Sequence, residues 1–341
     1  MRSKICATLI ISMGISFTMY SNCFPDKAID SEENIDSIQN VDSCPFTEAL
    51  EYVDSFQTYS FMVIYKGQKV CEKYFRNYIR YDLINSYSMA KSYMSAILGI
   101  AINEKKISLD DRVSDYIQPP LSGEGINVVT ELKVWHLATM TSGLDWNWYR
   151  DYTVMRERAD WLAFLQTLTI KYPPGTRWEY SADPDILSAV LEKAVGMPLW
   201  KYVNEKLLEP IGITDGFYWA RDATGMLLGD GYIFATTENY GRFGQLFLDK
   251  GKWNGRQVIP EEWITLSTSP AGISPDYGFL WWTTDFEGLP EDLYYAYGGH
   301  GQFIVVIPSR EIVIIRTGNG PGDPIKEFLP TMIRKVLNPE L

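Results

Sequence analysis

Strand-like segments lie at both ends of this chain and helix-like segments fill its middle, and this distribution constrains the fold more than any other feature. Residues 59–65 are apolar and β-branched, a turn follows at Lys66-Gly67-Gln68, and residues 69–75 alternate, which predicts a β-hairpin. Residues 88–103 have helical spacing. The remaining predicted elements are a mostly helical stretch at 105–275, strands at 277–283, 294–299, 303–307 and 312–317, and a closing helix at 325–337.

The economical arrangement is an α+β fold, an α/β sandwich in which both termini build one antiparallel sheet. Helices flank this sheet, and a mostly helical lobe is inserted between its two halves. We expect a folded domain over residues 46–341, with a sheet lobe at 46–104 and 276–341 and a helical lobe at 105–275. A chain of 341 residues is long enough to bury such a core.

The N-terminus is typical of an export signal. Arg2 and Lys4 precede an apolar stretch from Ile5 to Met19, which predicts a signal peptide over residues 1–23. Cys23 stands where a lipoprotein cysteine would be, so lipid attachment at Cys23 and a soluble exported protein both stay open. Residues 24–45 are acidic and predict a flexible linker. The expected location is the periplasm or the cell envelope.

The cysteines and the charge restrict the chemistry and the partners. In an exported protein Cys44 and Cys71 can pair as a disulfide or stay as two separate thiols. No Cys/His cluster has metal-ligand spacing, and we expect neither a metal nor an organic cofactor. The net charge is −12 without a basic stripe, which argues against nucleic acid and leaves a small-molecule substrate as the expected partner.

The segment Tyr87-Ser88-Met89-Ala90-Lys91 carries candidate chemistry. A three-residue step puts Ser88 and Lys91 on one helix face. A serine hydroxyl needs a base within hydrogen-bond reach, and a neutral lysine amine is such a base. The helix N-terminus favours a developing oxyanion. This pattern alone is weak, because about one chance match is expected in a chain of this length. The alternative is a capping serine and a solvated lysine.

A second proton-transfer group is expected across the cleft, and Tyr180 fits this role. Tyr180 ends a Pro/Gly loop just before a predicted helix at 185–195, although a tyrosine in this position also suits plain packing. Tyr202 belongs to a Y-x-N match inside a continuous helical pattern and is a decoy. His136 lies in a helical pattern and is interpreted as structural, and the chain lacks the G-x-S-x-G elbow.

Beyond the Ser-x-x-Lys segment, four further ordered stretches resemble the serine β-lactamase and penicillin-binding superfamily. The resemblance is nearest to its class C-like branch, with the family VIII carboxylesterases and the 6-aminohexanoate-dimer hydrolases. The stretches are residues 135–144, residues 174–182 around the tyrosine, residues 229–244, and residues 298–308 with Gly298-Gly299-His300-Gly301-Gln302. Together they span nearly all of residues 55–335.

The resemblance implies a two-step acyl transfer. Ser88 is the acylated nucleophile, Lys91 is its partner, and Tyr180 is the general base and acid. The implied oxyanion hole consists of the backbone N–H of Ser88 and a second N–H near Gly299 or His300.

Two departures from the superfamily pattern bear on the substrate. Tyr297-Gly298-Gly299 is predicted to border the substrate, and it stands where β-lactamases and peptidases carry Lys or His, then Thr or Ser, then Gly. Ala182 replaces the asparagine often found two residues after the tyrosine. Both favour hydrolysis of a small ester or amide. The alternatives are a β-lactamase or D-alanyl-D-alanine peptidase, and a non-catalytic envelope binding protein with the same fold.

Overall fold

The computed structural model describes residues 44–320 and 324–338. The predicted export signal, Cys23 and most of the predicted linker lie outside these residues. None of the helices within the described ranges is long and apolar enough to cross a membrane.

The largest sheet has five antiparallel strands. Two of its strands come from the N-terminal part of the chain and three from the C-terminal part, which confirms the predicted sheet built from both termini. The strands of the described residues are β1 (Thr58–Tyr65), β2 (Gln68–Tyr74), β3 (Ile84–Asn85), β4 (Leu121–Ser122), β5 (Thr169–Ile170), β6 (Phe217–Trp219), β7 (Ile233–Ala235), β8 (Lys252–Trp253), β9 (Arg256–Gln257), β10 (Tyr294–Gly298), β11 (Gln302–Ile307) and β12 (Ile312–Gly318). The five-stranded sheet has the order β10-β11-β12-β1-β2.

Helices cover both faces of this sheet. They are α1 (Thr47–Asp54), α2 (Ala90–Asn103), α3 (Val128–Glu131), α4 (Val134–Ala138), α5 (Thr153–Arg156), α6 (Trp161–Leu165), α7 (Asp183–Val195), α8 (Leu199–Val203), α9 (Thr237–Leu248), α10 (Glu261–Ser267) and α11 (Leu329–Leu337). Because side chains alternate along a strand, each strand feeds two cores. Met62 and Ile304 pack toward α2 and α9, whereas Phe61 and Phe303 pack toward α1 and α11.

The central part of the chain contains more strand than the sequence predicted. A small antiparallel sheet of order β3-β7-β6 crosses it, and β3 leads directly into the turn that carries Ser88. Strands of two or three residues are too short to show a periodicity of their own.

The predicted strand at 277–283 is wrong. This segment forms only isolated bridges, Tyr277 to Trp282 and Trp282 to Tyr295, and Leu280 has a left-handed φ of 63°. Its aromatic residues, which favour strands in general, serve here to fill the core, as the fully buried Trp281 does.

Cys44 and Cys71 form a disulfide. The bond joins the segment before α1 to β2, on the α1/α11 side of the sheet, where Cys71 is fully buried. Of the two states that the sequence left open, the structure has the bonded one.

Candidate active site

Ser88 lies in a single 3-10 turn, Tyr87–Met89, that runs into α2. The preceding residue anchors this turn to β7, since the Ser86 N–H donates to the Ile233 carbonyl at 2.7 Å and the Ile233 N–H donates to the Ser86 hydroxyl at 3.2 Å. Tyr87 has a φ of 46°, a left-handed conformation that is costly for a bulky residue. The small sheet therefore holds Ser88 in a tight, strained turn at the N-terminus of a buried helix.

The predicted contact between Ser88 and Lys91 is present. The Lys91 Nζ donates to the Ser88 hydroxyl oxygen at 3.1 Å and to the main-chain carbonyl of Asp230 at 2.7 Å. The Lys91 side chain is 1% exposed, whereas Ser88 is partly exposed. The arrangement leaves the hydroxyl open to a ligand and keeps the amine away from bulk water.

Tyr180 lies beside Lys91. The centroid of its ring is 4.9 Å from the Lys91 nitrogen, and the Trp148 indole N–H fixes the loop by donating to the Tyr180 carbonyl at 3.1 Å. The Tyr180 side chain is partly buried. Ser88, Lys91 and Tyr180 are thus brought together, as predicted, from two separate parts of the chain.

The start of α7, which directly follows the loop that carries Tyr180, is tied to the segment after α4. Asp183 is fully buried and accepts a hydrogen bond of 2.6 Å from the Ser142 hydroxyl. Burial raises the pKa of the Asp183 carboxyl to about 7, against the opposing effect of its hydrogen bonds. The acidic first turn of α7 with Pro184, and a left-handed Gly196 after its end, are the usual boundaries of a helix.

The end of β10 borders the Ser88 turn. A Cβ at position 298 would collide with the Ser86 carbonyl, so glycine is required for the strand to approach this closely. A Cβ at position 299 would lie 3.7 Å from the Tyr87 ring, in ordinary contact. His300 is exposed, has a φ of 64°, and its ring lies 4.9 Å from that of Tyr87. Gly298, Gly299 and His300 therefore sit beside the Ser88 turn, where the sequence placed them.

Tyr297, which the sequence predicted to border the substrate, has its ring stacked on Phe303 at 5.2 Å. Phe303 belongs to the core beneath α1 and α11, and Tyr297 packs against that core. The Tyr297 side chain thus contributes to packing on the outer face of the sheet.

Arg316 of β12 fixes the Gly299–Gly301 turn. Its guanidinium is fully buried and donates to the carbonyls of His300 at 3.0 Å and Gly301 at 2.9 Å. The same side chain reaches the Phe56 carbonyl at 2.7 Å. Five rigid donors are well suited to this bridging task. The sequence did not predict this role, because an arginine in a strand pattern reads as a surface residue.

His136 does not take part in this group. Its ring Nδ1 accepts a hydrogen bond of 2.9 Å from the Lys133 N–H, and burial lowers its pKa to about 4. It is a neutral residue that caps its own helix, which matches the structural interpretation drawn from the sequence.

Two buried carboxyl groups behind Lys91 were missed by the sequence analysis. Asp185 in the first turn of α7 is 0% exposed, and Asp230 in the loop before β7 is 4% exposed. Burial raises the pKa of both groups, and the positive charge of Lys91 opposes the shift. The sequence signals for them were an acid directly next to an apolar run, Asp185-Ile186-Leu187, and the place of Asp230 in the stretch 229–244 that resembles the superfamily.

No cluster of three or more His, Cys, Asp or Glu side chains suited to a metal ion occurs within residues 44–320 and 324–338.

Comparison with known proteins places this geometry in a family. The family model described as Beta-lactamase matches residues 49–337. A 6-aminohexanoate-dimer hydrolase of Paenarthrobacter ureafaciens is 24% identical over 295 residues, which cover 77% of this chain and 73% of that protein.

Solved structures show the same fold. A family VIII carboxylesterase superposes with a TM-score of 0.70 at 16% identity, covering 86% of this chain and 97% of the other. The octameric penicillin-binding protein homologue from Pyrococcus abyssi superposes with a TM-score of 0.67 at 19% identity, covering 87% and 78%. The chain therefore belongs to the Beta-lactamase family and is a serine hydrolase of the β-lactamase and penicillin-binding superfamily.

Proposed function

We propose that this enzyme hydrolyses small, uncharged esters or amides through an acyl-enzyme on Ser88. The observation that carries the proposal is the contact of the buried Lys91 amine with the accessible Ser88 hydroxyl, 3.1 Å apart, beside the ring of Tyr180. A nucleophile within hydrogen-bond reach of a base is what acyl transfer requires. The similarity to a 6-aminohexanoate-dimer hydrolase and to a carboxylesterase supports the same reaction class.

The proposed reaction has two steps. The Ser88 oxygen attacks the substrate carbonyl, and its proton passes to Lys91 or Tyr180 and from there to the leaving alcohol or amine. Water then attacks the acyl-enzyme, loses a proton to the same pair of groups, and releases the acid and the free Ser88 hydroxyl. The proposed donors to the oxyanion are the backbone N–H of Ser88, in the Tyr87–Met89 turn, and that of His300, in the neighbouring Gly299–Gly301 turn.

An uncharged substrate suits the surroundings of the site. Position 297 holds a packed tyrosine in place of a cation, so β10 offers no positive side chain to a substrate carboxylate. Aromatic rings surround Tyr180 instead, with ring centroids at 6.0 Å for Trp148, 5.8 Å for Trp282 and 6.3 Å for Trp178. Such a wall favours apolar acyl groups.

The test compares wild type with Ser88→Ala on p-nitrophenyl esters, simple amides and β-lactams. We expect the variant to lose ester turnover and to keep its circular dichroism spectrum. Ser95→Ala is the matched control, because Ser95 lies on the same helix and its buried hydroxyl has no hydrogen-bond partner among the described residues. Ester turnover by Ser88→Ala at the wild-type rate contradicts the proposal. Covalent labelling of Ser88 by a fluorescent penicillin, without ester turnover, favours the β-lactamase or peptidase alternative.

We further propose that the protein is exported. The disulfide between Cys44 and Cys71 supports an oxidising compartment, in line with the signal-like N-terminus. Metabolic labelling with palmitate, comparing the full chain with Cys23→Ser, distinguishes a lipid anchor from a soluble exported protein. Export is contradicted if the protein is found in the cytoplasm with its N-terminus uncleaved.

A further inference from the structure

The two buried carboxyl groups behind Lys91 form a pair. The Asp230 N–H donates to Asp185 Oδ1 at 3.3 Å, so the two residues are in direct contact. One oxygen of each, Asp185 Oδ2 and Asp230 Oδ1, is buried and has no hydrogen-bond partner among the described residues. Unpartnered buried oxygens are costly, because nothing replaces the water that they lost.

A single proton held by the pair resolves this cost. Burial and the charge of Asp230 raise the pKa of Asp185, and burial raises the pKa of Asp230. Two carboxylates in one dry site cannot both stay ionised, whereas a protonated carboxyl can donate to its neighbour. The positive charge of Lys91 lowers both pKa values and so favours ionisation of one of the two groups.

The other titratable groups around the pair come from the π-helical turn before α5, from α5 itself and from the loop before β7. The Tyr152 and Tyr232 hydroxyls share a hydrogen bond of 2.5 Å. Burial, and to a smaller extent the Asp230 charge, keeps the pKa of both phenols above the ordinary value. The Arg156 guanidinium lies 5.6 Å from the Tyr152 ring centroid and opposes that effect. Lys91 is the cation that acts on both carboxyl groups.

We infer that Asp185 and Asp230 share one proton and present a single negative charge to Lys91, which makes them a positioning pair for the proposed base. The inference rests on the proposed function, because it assigns the electrostatic surroundings of the proposed base to residues that do not touch substrate. Lys91 connects the carboxyl pair with the nucleophile, since its nitrogen contacts both the Ser88 hydroxyl and the Asp230 main-chain carbonyl. One negative charge beside the proposed base affects the pH dependence of turnover.

The test measures kcat/KM for a p-nitrophenyl ester against pH in four variants: Asp185→Asn, Asp230→Asn, the double variant and Asp183→Asn. Each single variant keeps one ionised carboxyl, so we expect its acid limb to superimpose on that of wild type. The double variant removes the charge, and its acid limb moves about one pH unit lower. Asp183→Asn is the matched control, a buried carboxyl of the same helix that is held by Ser142, and its limb stays in place.

The inference is overturned if the pH profile of the double variant superimposes on that of wild type. It is also overturned if the acid limb of a single variant shifts as far as that of the double variant. A merely structural role lowers the rate at every pH without moving the limb.

Infrared difference spectra keep the test independent of activity and of the folding of the double variant. In the Asp183→Asn background at neutral pH, where position 183 adds no carboxyl band, the protein should show one protonated carboxyl band that is lost when Asp185 or Asp230 is replaced as well. Absence of that band overturns the shared proton. Failure of the proposed function is recognised by a different result, namely ester turnover that persists in the Ser88→Ala variant.

Discussion

The phenol of Tyr180 is the part of the proposed machinery that a single substitution removes most cleanly. Tyr180→Phe keeps the ring beside Lys91, with its centroid 4.9 Å from the amine, and deletes only the hydroxyl. We expect kcat/KM for an ester to fall by about 100-fold to 10,000-fold with little change in KM, the range for a general acid or base. Steady-state kinetics give the two constants.

The control for this substitution is Tyr277→Phe. The Tyr277 ring lies 6.3 Å from that of Tyr180 in an edge contact and is buried, and it has no proposed role in proton transfer. We expect its activity to stay near wild type. Equal losses in the two variants would show that the aromatic wall matters and the Tyr180 hydroxyl does not.

At the level of single residues, the sequence predicted what local spacing encodes. The Ser88 to Lys91 contact follows from a three-residue step on a helix, and the bordering glycines follow from ordered motifs. Asp185 and Asp230 are 45 residues apart in sequence and obey no period, so their contact exists only through the packing of α7 against the loop before β7. The catalytic roles of Ser88, Lys91 and Tyr180 stay predictions until the variants are measured.

At the level of elements, the start of α7 carries a pH-dependent stability cost in Asp183. Its carboxyl has an ordinary pKa of 3.8 and a folded-state pKa of about 7. The folded state therefore binds the proton more tightly, and the free energy of unfolding falls as the pH rises through this window, by about 4 kcal/mol. Asp183→Asn cannot ionise and still accepts from Ser142. We expect its stability, measured by urea unfolding, to lack this part of the slope between about pH 4 and 7.

The difference in the free energy of unfolding between wild type and Asp183→Asn reports on the Asp183 carboxyl alone, since the other ionisable residues are common to both proteins. Parallel stability curves for wild type and Asp183→Asn across the window would mean that the carboxyl keeps its ordinary pKa in the folded state.

Long elements were predictable and short ones were not. The hairpin β1–β2, the strands β10 to β12 and the helices α2, α7 and α11 have enough residues for a period to appear, and the structure has them within a few residues of their predicted bounds. The strands β3, β6 and β7 form through tertiary contacts and have two or three residues each. The segment 277–283 has residues that favour strands, but their side chains pack in the core and the backbone forms only isolated bridges.

At the scale of the whole molecule, the disulfide separates stability from the proposed chemistry. It closes a loop with a sequence separation of 27 residues, which corresponds to about 3.5 kcal/mol if it acts by restricting the unfolded chain. Cys71 lies in the core beneath α1 and α11, whereas Ser88 and Lys91 belong to the turn and helix on the opposite face of the sheet. A change at the bond should thus reach the site only through global unfolding.

We therefore expect Cys44→Ala/Cys71→Ala to unfold in urea with a free energy about 3.5 kcal/mol lower than wild type and to keep its kcat/KM at 25 °C. Wild type measured in dithiothreitol gives the same comparison without substitution. Lost activity in a variant that is still folded would show that the outer layer of the sheet controls the Ser88 turn, because β10 borders that turn and shares its outer face with Cys71. An unchanged free energy of unfolding would instead mean that the two hydrophobic cores stabilise the fold without a contribution from the disulfide.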